Sequence, residues 1–134
     1  MTKNNRRRWL GVVVSLLLVV AGCTSAPTKS SLEFDVRLTE AAASGIAALG
    51  LEVPVTGRVF VIITRDEESE PREQTGIMGV PLWGKDVRGL GSGDRVVFSD
   101  GDPSLRGYLL EDIGDIPPGD YAVQAFLNVY TTFH

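Results

Sequence analysis

Tyr121 to Thr131 reads YAVQAFLNVYT, and this stretch sets the reading of the whole chain. Tyr121, Val123, Ala125, Leu127 and Val129 fall on one side of an extended backbone, and Ala122, Gln124, Phe126, Asn128 and Tyr130 on the other. Successive side chains of a strand point to opposite faces, so the run is the longest strand candidate in the sequence. Pro117-Pro118-Gly119-Asp120 stands directly before it. Proline presets φ and glycine accepts backbone conformations closed to other residues, so these four residues predict the turn that launches the strand.

Upstream, the same alternation recurs in SLEFDVRLT, residues 31 to 39. Leu32, Phe34, Val36 and Leu38 face one way and Glu33, Asp35, Arg37 and Thr39 the other, which predicts a strand with one buried and one wet face. RVFVIIT, residues 58 to 64, is a short β-branched apolar run, the pattern of a strand buried on both faces. RVVFS, residues 95 to 99, predicts another strand, entered through GSGD and left through SDGDPS. GIMGVPLW, residues 76 to 83, reads as a broken edge strand, because Pro81 cannot donate to a ladder. LLEDIGDI, residues 109 to 116, reads as a turn or half-strand, and RDEESEPR, 65 to 72, as a solvated loop. EAAASGIAALGLEVPVTG, residues 40 to 57, contains helix-forming alanines interrupted by Gly45, Gly50 and Pro54, which predicts a loop with at most a short helix. Strands separated by polar turns predict a mainly β chain: one antiparallel β-sandwich over residues 32–134, immunoglobulin-like or transthyretin-like.

The amino terminus has a different character. Lys3, Arg6, Arg7 and Arg8 precede the apolar run WLGVVVSLLLVV, residues 9 to 20. A dozen apolar residues suit the core of an export signal and fall short of the roughly 20 that span a bilayer as a helix. The run closes on Val20-Ala21-Gly22-Cys23, which resembles the bacterial lipobox: an aliphatic residue, two small ones that fit the signal peptidase, and the cysteine that takes the lipid. The resemblance implies a lipoprotein signal helix over residues 1–22, cleavage before Cys23, and a membrane anchor of fatty acyl chains such as palmitate on that cysteine. Residues 23–31, with TSAPTKSS, then read as a flexible tether. Thr24 stands where an aspartate commonly retains such proteins in the inner membrane, so an extracytoplasmic location on the outer membrane is expected.

Removing 22 of 134 residues leaves 112, enough for one core. All 17 acids lie beyond Cys23, against nine of the 13 bases. An acidic domain does not suit nucleic acid, whose binding needs Lys and Arg to replace phosphate counterions. Cys23 is the single cysteine and His134 the single histidine, so no intrachain disulfide or thiolate metal cluster is expected, and no cofactor.

Candidate chemistry is sparse. Gly89-Leu90-Gly91-Ser92-Gly93 superficially resembles a nucleophile elbow, with a glycine one place out of register and His134 as the sole possible imidazole base, so Ser92 reads as part of a turn. Asp100-Gly101-Asp102 has the opening of a calcium loop without a closing Glu, and reads as a turn. Glu67, Glu68, Glu70 and Glu73 form a self-repelling loop face; a glycosidase pair would need a cleft that nothing here selects. Trp83, Phe126 and Tyr130 are the aromatic residues that core and docking surface compete for.

GRVFVIITRD (57–66), EPREQTGIMGVPLWGKDVRGL (70–90) and IPPGDYAVQAFLNVYTTFH (116–134), taken together, resemble the amino-terminal region of a family of large exported bacterial esterases. In that family a β-rich domain precedes an α/β-hydrolase domain, and the likeness covers roughly residues 32 to 134. The resemblance implies an accessory domain and carries over no catalytic residue, since the hydrolase part has no counterpart in this sequence. The expectation is therefore a non-enzymatic, lipid-anchored binding or accessory module, with a protein partner or a neighbouring hydrolase; a C-terminally truncated esterase domain and a small carboxylate hydrolase are the alternatives.

Overall fold

The computed structural model describes residues 31–131. Among them the chain is mainly β, with strands β1 (Glu33–Arg37), β2 (Val55–Thr64), β3 (Leu82–Leu90), β4 (Arg95–Ser99), β5 (Arg106–Tyr108) and β6 (Ala122–Val129), and one helix, α1 (Glu40–Ala48). They form two antiparallel sheets, β1-β4 and β5-β3-β2-β6, packed face to face as a β-sandwich.

The core lies between the two sheets. Val59, Val61 and Ile63 of β2 and Trp83 of β3 meet Val96 and Phe98 of β4, each 6% exposed or less. Phe34 and Val36 of β1 pack against the same cluster. β2 is buried on its second face too, since Ile62 is fully enclosed. That face is roofed at one end by the segment after β2, which carries a 3-10 turn at Pro71–Gln74. Gln74 holds this roof down: its Oε1 accepts from Thr64 Oγ1 at 2.8 Å, and its Nε2 donates to the carbonyls of Asp66 and Ser69. The acidic loop is thus a tied structure rather than a loose one.

Three elements differ from expectation. Residues 40–48 form a continuous helix through Gly45, because Thr39 caps it (Oγ1 accepts from Ala42 N–H, 3.2 Å) and Ala43 and Ile46 pack on the core. Burial of that face outweighs the helix cost of one glycine, about 1 kcal/mol. The segment 76–81 is not a strand. β3 begins only at Leu82 and is an interior strand, between β2 and β5. Its pattern was masked because Lys85, an inward position, is charged. Finally, β5 at 106–108 is unexpected, whereas the turn expected within 109–116 is present as a 3-10 turn at Ile113–Asp115.

Candidate functional site

Two neighbouring surfaces carry the side chains that the core leaves over: the outer face of the four-stranded sheet, and the open side of the sandwich where β1 and β6 end their sheets.

The outer face follows from register. Phe60 lies opposite Phe126 across β2 and β6, and opposite Gly84 across β2 and β3. The two phenyl rings stack with centroids 4.8 Å apart. Gly84 makes room for them: a Cβ there would stand 3.1 Å from both Phe60 Cε1 and Arg58 Cδ. One step along, Arg58 grips Asp86 through two parallel bonds, Nε to Oδ1 at 2.7 Å and Nη2 to Oδ2 at 2.9 Å. Tyr130 adds a third strand to this cluster by donating its hydroxyl to Asp86 Oδ1 at 3.1 Å. The Arg58 hydrogen bond holds the Asp86 carboxyl below its usual range, against the opposing effect of desolvation and with a lesser contribution from the Tyr130 hydroxyl. An exposed pair of this kind fixes orientation more than it adds stability.

The open side follows from strand count. Two strands face four, so the small sheet leaves part of the large one uncovered. β6 pairs only with β2, and β1 only with β4, among the described residues. Between them runs an apolar cleft of about 650 Å³, lined by Phe34, Ile63, Ile113, Tyr121 and Val123, continued by a smaller one of about 170 Å³ beside Ala125 and Leu127. Val123 points inward by the alternation yet is 53% exposed. Tyr121 closes one end, donating its hydroxyl to Pro117 O at 2.9 Å and accepting from Arg65 Nη2 at 2.9 Å.

Of the sequence-predicted docking residues, Phe126 and Tyr130 share the outer face as expected from their spacing, Tyr130 half exposed and Phe126 half-buried. Trp83 is corrected. It is fully enclosed, 6.4 Å from the Phe34 ring, and belongs to the core; its Nε1–H has no hydrogen-bond partner among the described residues. Arg58 and Asp86 were missed, since they are 28 residues apart and only register joins them. Val20, Ala21, Gly22, Cys23 and His134 lie outside the described residues.

The remaining chemical candidates have structural places. Ser92 sits in the β3–β4 turn, where Asp94 Oδ2 accepts from Gly91 N–H at 2.7 Å. Asp102 is engaged by Lys85 Nζ at 2.7 Å and by both the N–H and hydroxyl of Ser104. Among the described residues, no three His, Cys, Asp or Glu side chains are grouped to hold a metal ion, and no helix is long and apolar enough to cross a membrane.

The fold and these surfaces define an antiparallel β-sandwich with one polar-aromatic sheet face and one open edge. Comparison with protein-family models, with curated proteins and with solved structures finds no match.

Proposed function

We propose that this chain is an exported lipoprotein, held on a membrane by acyl chains on Cys23, whose non-catalytic β-sandwich offers its open sheet edge to a protein partner. The observation that carries the address is the order of KNNRRR, the apolar run 9–20 and Val20-Ala21-Gly22-Cys23. The observation that supports the binding role is the β6 edge, unpaired among the described residues, beside an apolar cleft. An extended partner segment adds main-chain bonds at such an edge and places alternate side chains in the neighbouring pocket. Lipid chains supply the retention: each buried methylene contributes about 0.8 kcal/mol, so two or three chains hold firmly. The surface would face the periplasm or the cell exterior, with the outer membrane favoured by Thr24.

Cys23→Ser tests the anchor. Wild-type protein should partition with membranes and carry labelled fatty acid, and the variant should do neither. An intact leader in the native product, seen by mass spectrometry, would overturn the reading.

A second reading makes the domain an accessory unit of an esterase, with an immunoglobulin-like or transthyretin-like topology. One observation favours it: the three segments that resemble the esterase family coincide with β2, β3 and β6, which are neighbours in one sheet. Co-purification with an α/β-hydrolase encoded alongside, and a gain in that enzyme's activity, would support it. Turnover by this domain alone, abolished at a single Asp or Glu, would instead favour a carboxylate hydrolase.

A further inference from the structure

We propose that the occupant of the β6 edge is β6 of a second copy of this chain, paired antiparallel about a two-fold axis through Phe126. This inference rests on the reading of the open edge as a binding surface and names what binds there.

The first ground is backbone direction. Tyr130 N–H donates to Thr56 O at 2.9 Å. Antiparallel ladders alternate, so the backbone groups of Ala122, Gln124, Phe126 and Asn128 also turn toward β2, and those of Val123, Ala125, Leu127 and Val129 turn to the unpaired side. A partner strand must therefore bond to odd-numbered residues.

The second ground is the sequence of the strand. From Ala122 to Tyr130 it reads AVQAFLNVY, and it is chemically palindromic about Phe126. A two-fold axis there sets Ala125 against Leu127 of the other copy, Val123 against Val129, Gln124 against Asn128 and Ala122 against Tyr130. Small meets large, Val meets Val, amide meets amide. The odd pairs are the hydrogen-bonded ones, which matches the backbone groups that are free, and together they form about eight N–H···O bonds. Phe126 meets its own copy at a non-bonded position, where Cα atoms come within about 4.5 Å. The Phe60–Phe126 stack then becomes a row of four rings across the joint sheet.

The third ground is charge. The chain is acidic, and 22% of its residues are charged, yet residues 121–131 contain no Asp, Glu, Lys or Arg. Exposed edges of monomeric proteins are commonly protected by charges, proline or a bulge, and β6 has none of these. An acidic chain can meet its own copy along such a strip without like-charge repulsion.

The test uses the whole chain with Cys23→Ser, in sedimentation velocity from low micromolar to hundreds of micromolar. A concentration-dependent dimer is expected. Ala125→Pro removes an outward N–H and leaves the β2 ladder intact, so it should weaken the dimer at least about tenfold. Ala125→Lys, which keeps the backbone donor, should weaken it similarly and guards against a folding failure of the proline variant. In the same background, Phe126→Cys should form a disulfide-linked dimer on mild oxidation, since the distance on the axis suits one, and Asn128→Cys should not. A chain that stays monomeric throughout, or a dimer indifferent to both Ala125 variants, overturns the inference; so does equal cross-linking at 126 and 128. A generic strand probe, a synthetic peptide of alternating Val and Thr, separates this from the broader reading. Binding of that peptide to a monomeric chain, blocked by Ala125→Pro, would leave the edge a binding surface while removing the second copy. No binding and no dimer would remove both.

Discussion

Lys85 is the side chain whose removal tests the account of the fold most directly. It projects inward from β3, the reason that strand was hard to see, and its ammonium donates to Val97 O of β4 at 2.9 Å and to Asp102 Oδ2 at 2.7 Å. It therefore ties the large sheet to the small one at a site where its side chain is 25% exposed and that of Asp102 17%. Lys85→Met keeps most of the stem and deletes both charged bonds. A hydrogen bond to a charged group contributes about 1.5–3 kcal/mol, and partial exposure lowers the sum, so a loss of about 2–3 kcal/mol near neutral pH is expected. Acid titration supplies a second readout. The Lys85 ammonium, then the Ser104 hydroxyl and N–H, hold the Asp102 carboxyl down at about 2, against an ordinary 3.8. A carboxyl depressed in the folded state contributes stability above its unfolded value that is lost as pH falls toward its folded value. For a shift of this size the contribution is about 2 kcal/mol, present at pH 6 and fading between about pH 5 and 2. Urea unfolding at pH 6, 4 and 3 measures both effects. Asp102→Asn should remove this component of the acid dependence, and Lys85→Met should remove most of it, with the double variant less destabilised than the two single losses added. An acid profile for Lys85→Met that parallels wild type would refute the proposed clamp.

Trp83→Ala should cost about 3–5 kcal/mol by opening a cavity in the core, whereas Trp83→Phe, which deletes an N–H without a partner among the described residues, should cost clearly less; thermal unfolding compares them. Intact Trp83 should show blue-shifted fluorescence that moves red on unfolding. Gly57→Ala drives a Cβ into the backbone carbonyl of Asn128, so it should loosen the β2–β6 pairing and expose the Arg58 and Phe60 amides, which face β6, to faster hydrogen exchange. Gln74→Ala should leave the core intact and raise protease cleavage within residues 65–75, because the bond to Thr64 and the two to the Asp66 and Ser69 carbonyls disappear. Uncut loops in that variant would show that the acidic segment is held some other way.

The amino-acid sequence by itself determined the β class, the two alternating faces of β1 and of β6, the apolar strand at β2, the turn at 117–120, and the shared face of Phe126 and Tyr130. These are local facts: period-two alternation, proline and glycine geometry, and spacing along one strand all act within a few residues. Only the tertiary structure decided that Lys85 is an inward clamp, that α1 survives Gly45, that Trp83 belongs to the core, and that Arg58 and Asp86 meet. Each of those depends on pairing energy between segments distant in sequence, where burial or a partner overrides the local preference. The open edge belongs to the same class, because which strands pair with β6 depends on segments distant in sequence.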